Sequence, residues 1–465
     1  MRPRQLVACL LAVAAGALPH AAQADPASAV PFRLQDALGL PDWLSLSVQS
    51  RYRYETLDSQ FRAGGSGGDQ ALVTQTTALL EAGSKTARLG LEMIDARAML
   101  EDAGTTLDNT VVDSAELLQA YGNFRFANLP GVEGTNELKI GRQTLDFGSR
   151  RLVARNKFRN TINSFTGADW KFTARDGWST EAFIAAPVSR LPTDKPSLLD
   201  NDAVWNEEDF GTLFWLASVR SRALPGGARL EGYVLGLHES DDVFATRNRD
   251  LVTPGFRLLR EPSAAALDYQ VEVALQTGTV RADDKATTLR ELDHFAHYET
   301  VQLGYTFKAA WSPRLAAMFD YASGDSDPTD GNSGRFDTLF GARRFDYGPT
   351  GLWGAFSRAN LVSPGTRVTV KPSKNVQAMV GYRAFWLAEE RDGWAAAKVS
   401  DASGRSGSFI GNELEFSVGW IVLPGNVGLE VGGALLVDGE FPGQAPNGSG
   451  EGDSSYLYTQ VTLSF

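Results

Sequence analysis

The 465-residue chain carries 44 Lys and Arg against 56 Asp and Glu, a formal charge of −12, and one cysteine. The acidic balance excludes a protein built to coat nucleic acid, and one cysteine excludes a disulfide scaffold. Beyond the first 24 residues no apolar run approaches the ~18 residues that a spanning helix requires, so either a soluble fold or a closed β-barrel fits the mean hydropathy of −0.20.

The chain begins like an export signal. Arg2 and Arg4 precede an apolar stretch from Leu6 to Leu18, and Ala22-Gln23-Ala24 has the small-x-small form of a cleavage site. The rival lipobox reading at Leu6-Val7-Ala8-Cys9 leaves no apolar core ahead of Cys9. Cleavage after Ala24 defines residues 1–24 as the signal peptide and 25–465 as one mature domain, takes the formal charge to −14 and removes the cysteine.

From residue 45 onward, segments of strict alternation recur between Gly, Asp, Asn, Ser and Pro clusters, the signature of an all-β transmembrane antiparallel barrel. In the first, Leu46, Val48, Tyr52 and Tyr54 suit lipid, whereas Ser47, Gln49, Arg51, Arg53 and Glu55 suit a wet lumen. Further segments start near Leu72, Ala87, Leu118, Leu138, Trp170, Thr180, Leu213, Leu230, Tyr269, Val301, Leu315, Thr366, Val376, Leu414, Val427 and Leu457. These make seventeen. Because single-chain bacterial barrels use even numbers, about eighteen strands are expected, with the missing one between 335 and 400. Gly83-Ser84-Lys85 reads as a short periplasmic turn; Phe61–Gln70, Asp95–Ala115 and Pro187–Glu208 read as outer loops that project or fold inward to narrow the hole.

The last segment alternates Leu457, Thr459, Val461, Leu463 and Phe465 with Tyr458, Gln460, Thr462 and Ser464 and stops on an aromatic residue. It resembles the terminal strand read by the barrel-assembly machinery of Gram-negative outer membranes, which predicts that machinery, the outer membrane and its lipopolysaccharide as partners.

Between Lys139 and Arg175 the sign of the charge inverts: nine basic residues stand against Asp146 and Asp169. Clustered guanidiniums can bind carboxylates bidentately in a low-dielectric channel, while the plainer alternative is a basic loop paired with neighbouring acids or with lipopolysaccharide phosphates. Candidate solute-binding residues are therefore Arg142, Arg150, Arg151, Arg155 and Arg159, with Arg53, Arg125 and Arg383 on strands. Arg383 lies opposite in phase to Tyr382 and Ala384 and should face the lumen. If Leu138 and Ile140 face lipid, strict alternation would also send Arg142 outward, so a bulge at Gly141 is expected to turn it in.

Gly141-Arg142-Gln143-Thr-Leu-Asp-Phe-Gly148-Ser-Arg150-Arg151-Leu152, then Phe158-Arg159-Asn160-Thr161 and Phe165, resembles the alginate-export family of outer-membrane barrels. Tyr321-Ala-Ser-Gly324-Asp325-Ser-Asp327-Pro328, then Asp330-Gly331, Gly334-Arg-Phe336 and Asn360-Leu361, resembles that family's later segment. The resemblance implies an eighteen-stranded monomer whose basic lumen passes a polyuronate, with Arg142, Arg151, Arg159 and Asn160 matching the first motif. Asn163-Ser164-Phe165-Thr166 stands where an Arg-x-Phe-Asp pattern is expected, so one cation is missing.

Other chemistry is poorly supported. Asp325, Asp327 and Asp330 have the spacing of oxygen ligands for calcium but lack the later bidentate Glu of an EF-hand, and an acidic turn is the alternative. His294 and His297, with Glu291, Asp293 and Glu299, suggest a polar connecting loop rather than a zinc site. With His238 they offer no serine a credible triad, so no enzyme and no cofactor are expected. The expected function is passage of an anionic polysaccharide or related polar solute, fed by a gradient or a periplasmic delivery partner, with Glu413 and Glu415 keeping binding escapable. The alternative is an uptake porin for small organic acids or sugars.

Overall fold

The computed structural model describes residues 30–465, so the signal-peptide reading lies outside the described residues. The period-two alternation forms β1 (Leu44–Asp58), β2 (Asp69–Gly83), β3 (Ala87–Met99), β4 (Asp113–Leu129), β5 (Val132–Gln143) and β6 (Phe165–Ala174). It continues through β7 (Ser179–Ser189), β8 (Thr212–Arg220), β9 (Arg229–Glu239), β10 (Asp250–Arg260), β11 (Ala266–Arg281) and β12 (Glu291–Thr306). The circuit ends with β13 (Arg314–Ala322), β14 (Leu361–Ser373), β15 (Val376–Trp386), β16 (Phe409–Leu423), β17 (Val427–Asp438) and β18 (Ser454–Ser464).

Each of these strands pairs antiparallel with its sequence neighbours, and β1 closes on β18 from Gln49 opposite Ser464 to Asp58 opposite Ser455. Closure removes both sheet edges and satisfies the backbone within the wall, the condition for strands to sit in lipid. Phe32 buttresses this seam from the N-terminal side: its backbone bonds the Asn426 side chain at 2.8 and 2.7 Å, and its ring lies edge-on to Phe465.

The seventeen expected segments all fall on strands. The eighteenth is β10, not a strand between 335 and 400. It escaped pattern reading because Pro254-Gly255 interrupts it. Proline supplies no N–H, and the ladder to β11 lapses between Val252 and Gly255. The region 335–400 instead supplies two inward-folding connections around β14 and β15.

Chain direction fixes the two ends. Short turns such as 84–86, 130–131 and 374–375 share one end with both ends of the described chain; long connections crowd the other. Lipid-facing positions carry Leu, Val and Phe, and aromatic residues Trp43, Phe126, Trp311 and Trp420 border the short-turn end. Inward residues of the same strands are polar: Arg53, Glu55, Glu272, Asp320, Arg383 and Glu413 are all at most 3% exposed, whereas Tyr52 is 46% exposed on the outer face. The HxxH segment lies in β12 rather than in a loop. A spacing of three on a two-residue repeat puts His294 inside, bonded to Gln276, and His297 outside, where it stacks on Tyr321 and bonds Glu299 at 2.8 Å.

The expected bulge at Gly141 is absent. Pairing runs through Tyr121, Gly141 and Gly167 and through Ala120, Arg142 and Thr166 without slippage. Gly141 takes φ +123, and a Cβ there would lie 2.3 Å from the Ala120 carbonyl oxygen. Arg142 therefore keeps the phase of Ile140, and its charge is met by Glu116 at 2.8 Å and Glu208 at 2.6 Å near the long-loop rim. The bulge lies one strand away: Glu92 faces Gln119 and Met93 faces Leu117, which leaves Leu118 as the extra residue.

Candidate functional site: a basic constriction inside the barrel

Two connections run deep into the long-loop half of the lumen, residues 144–164 and 323–360. They meet through a parallel bridge between Val153 and Phe340, reinforced by Phe340 N–H to Leu152 O at 2.9 Å and Ala342 N–H to Arg150 O at 3.0 Å. Aromatic packing fixes the second of them to opposite walls. Phe340 sits against Phe165 and Phe214, with centroids 5.0 and 5.1 Å away. On the other side Phe356 stacks on Phe385 at 3.5 Å and on Trp394 at 5.6 Å.

Most of the predicted arginines serve this anchorage. Arg151 is 3% exposed and divides its charge between Asp346 at 2.9 Å and Glu272 at 3.2 Å. Arg358 completes the same carboxylate. Burial alone would raise the Asp346 carboxyl, but Arg151 and Arg358 hold it well below the usual carboxylate range. Arg383 faces the lumen as expected and pairs with Asp320, while donating to Ser363 O at 2.9 Å. Arg53 pairs with Glu55 at 2.7 Å and donates to Phe158 O at 2.8 Å. Arg150 pairs with Asp146 at 2.8 Å, and Arg155 with Glu92 at 2.7 Å. Arg125 lies far from this group, beside the short turn at 130–131, on Glu137 at 3.1 Å.

The motif asparagines are staples. Asn160, 1% exposed, donates to Val111 O at 2.8 Å and Thr74 O at 3.0 Å. Asn360 donates to Glu389 O and Gly393 O, each at 3.0 Å, and a Cβ on Gly324 would strike its Oδ1 at 1.9 Å. Both family-like motifs thus encode how the inner loops are pinned. Glu413 bonds the Trp353 indole at 2.9 Å, and Glu415 pairs with Arg344, so both carboxylates hold the loops in place.

Four arginines behave differently: Arg62, Arg159, Arg190 and Arg343, contributed by four separate connections; Arg51 on β1 also lacks a carboxylate but is 5% exposed and spent on the carbonyls of Lys157 and Arg159. Among the described residues none of the four has a carboxylate paired with it, and each keeps partly exposed surface although deeply set. Arg159 and Arg190 converge on one oxygen, Asn163 Oδ1, with the Arg190 bond at 2.8 Å. Arg190 also donates to Asn109 O at 2.9 Å. The Cβ position of Gly354 lies 3.2 Å from an Arg343 terminal nitrogen and 3.8 Å from one of Arg62, so these two guanidiniums are neighbours.

Burial, followed by mutual repulsion, lowers proton affinity at Arg159, and burial does the same at Arg190 and Arg343 and takes Arg62 to about 10. Guanidinium keeps its proton in proteins. The unfavourable energy therefore becomes a demand for a counter-anion. Asp108 is the carboxylate whose field reaches all four. Sequence reading named Arg159 alone of the four. Arg62 and Arg190 stand singly and Arg343 has only Arg344 beside it, each in a connection of its own, so no long basic run marked them. Asn163, where a cation is missing from the motif, accepts from the arginine that Pro187–Glu208 brings in.

The acidic turn is self-contained. Asp327 accepts from Thr329 N at 3.1 Å and Asp330 from Asn332 N at 2.7 Å, and among the described residues no three His, Cys, Asp or Glu are grouped to hold a metal.

Comparisons with known proteins agree with this architecture. The chain shares the barrel fold of Pseudomonas aeruginosa OccK8 (OprE), at TM-score 0.57 and 11% identity over 91% of this chain and 98% of that one. Similar figures hold for OccK9 (OpdG) of the same organism, 0.58 and 15% over 91% and 98%. The outer membrane protein opdK from Pseudomonas aeruginosa gives 0.54 and 15% over 90% and 99%. No curated protein sequence matches. The model of the alginate export family matches residues 42–452. With nearly the whole chain matched and an eighteen-stranded closed wall, the protein belongs to the alginate export family and is a porin-like channel of the outer membrane.

Proposed function

We propose that the channel passes an anionic polysaccharide of the uronate type, or a related polar anion, through the constriction bordered by Arg62, Arg159, Arg190 and Arg343. The observation that carries this reading is four guanidiniums without carboxylate partners in a lumen whose other buried arginines are largely paired. An anion entering there exchanges hydration for charge-assisted hydrogen bonds. Asp108 opposes that attraction and favours release, since conduction needs binding that is favourable yet escapable.

A second reading is uptake of small organic acids or sugars. It draws on Asn163, whose amide oxygen occupies one N–H of Arg159 and one of Arg190 and so leaves fewer donors for a polymer carrying a charge on every ring. Single-channel conductance in planar bilayers, with polyguluronate and acetate as competing blockers, separates the two. Block by polyguluronate at concentrations where acetate has no effect supports polysaccharide passage; block by acetate-sized anions alone supports uptake. Block by neither removes both.

A further inference from the structure

At the short-turn end the inner wall holds a recess of about 360 Å³ between the end of β14 and β18. This volume falls at the lower end of the range typical of small-molecule sites, roughly 300–1,000 Å³. Two glycines open it. Gly419 pairs with Gln377 and Glu430, and Gly428 with Thr462, all in the phase that faces the lumen. A Cβ on either glycine would meet nothing within 4 Å, so the missing side chains leave space and not merely backbone freedom. Glycine inside a strand weakens it, and its use here leaves wall backbone open to close approach.

The lining has a definite chemistry. Lys371 and Lys374 stand at the rim, neither paired with a carboxylate among the described residues. Gln377, Gln460 and Thr462 supply amide and hydroxyl groups within. Glu430, the acid present, accepts from the Tyr458 hydroxyl. Ammonium groups on one edge and neutral donors and acceptors on the floor complement a molecule that carries a carboxylate on one side and hydroxyls on the other.

We infer that this recess is a subsite at the periplasmic mouth for one uronate unit of the solute, filled before the chain reaches the arginines. The inference rests on the channel reading above. Lys371 and Lys374 draw the carboxylate in, and the space over Gly419 and Gly428 accepts the sugar ring.

The test uses the full chain in planar bilayers of known orientation, with tetraguluronate added to one side at a time. Lys371→Glu with Lys374→Glu should lower the ratio of periplasmic-side to outer-side blocking rates about tenfold at low salt, as charge steering of that size predicts. Gly428→Leu fills the recess and should shorten each periplasmic-side block severalfold. Block by neutral maltotetraose should respond to Gly428→Leu but not to the charge reversals. An unchanged ratio in the lysine variant together with unchanged block times in Gly428→Leu overturns the subsite, as does equal loss of block from both sides. If Arg190→Gln with Arg343→Gln abolishes block while the recess variants do nothing, only the subsite falls. If none of these variants alters tetraguluronate block, the uronate reading falls with it.

Discussion

Replacing Arg190 and Arg343 together by glutamine removes two of the four unpaired constriction charges while keeping side chains that can still donate hydrogen bonds. At ~7 Å each charge attracts a monovalent anion by about 0.6 kcal/mol with water-like screening and about 2.4 kcal/mol at an effective dielectric of ~20. Two charges then contribute ~1.2 to ~5 kcal/mol. Physiological salt has a Debye length of about 8 Å, which places the expectation near the lower limit, roughly tenfold in anion partition. The assay is the reversal potential across a KCl gradient, from which the chloride-to-potassium permeability ratio should fall about tenfold. A ratio within about twofold of the parent, at normal single-channel conductance, would show that these guanidiniums do not face the conducting path and would refute the electrostatic argument.

Arg151→Gln should act differently, because Arg151 bridges Asp346 and Glu272 inside the protein. Breaking a buried pair from one side costs about 3–5 kcal/mol, so protease cleavage within 323–360 should accelerate and current noise should rise; parental cleavage rates would contradict this. The acid response follows from Asp346, whose lowered folded value makes its contribution complete above the ordinary carboxylate range near ~4 and lost as pH falls through that lowered value. Conductance should stay quiet from neutral pH to about 4 and turn noisy only below it, whereas noise beginning at pH 6 would assign the anchorage to another group. Gly141→Ala places a Cβ 2.3 Å from a carbonyl oxygen at φ +123 and should cost about 1–3 kcal/mol, seen as a lower temperature for loss of the compact form in heat-modifiability electrophoresis. No change in that temperature would mean that the ladder yields at no cost.

Asn163 clarifies how a family motif can lose a residue and keep its chemistry. In the linear order, a polar amide stands where a cation is expected. In space, Arg190, twenty-seven residues away, donates to that amide from the next long connection and restores a guanidinium at the site. Conversely, Arg151 and Arg383 read as solute-binding in the sequence because they are cationic and inward, yet Asp346, Glu272 and Asp320 already satisfy them. An inward arginine is free or spent according to which carboxylates other strands bring beside it.

The polypeptide alone determined the barrel: lipid outside and water inside impose a two-residue period on every strand, and that period was readable in all but β10, where Pro254-Gly255 obscured it. It also determined the lumen phase of Arg53 and Arg383, for the same reason. What only the tertiary structure decided was which loops enter the lumen, how Arg142 stays in phase through Gly141, and which arginines remain unpaired. Those outcomes depend on contacts between separate strands and connections, from 26 positions apart for Arg142 with Glu116 to 195 for Arg151 with Asp346, and no local pattern encodes them.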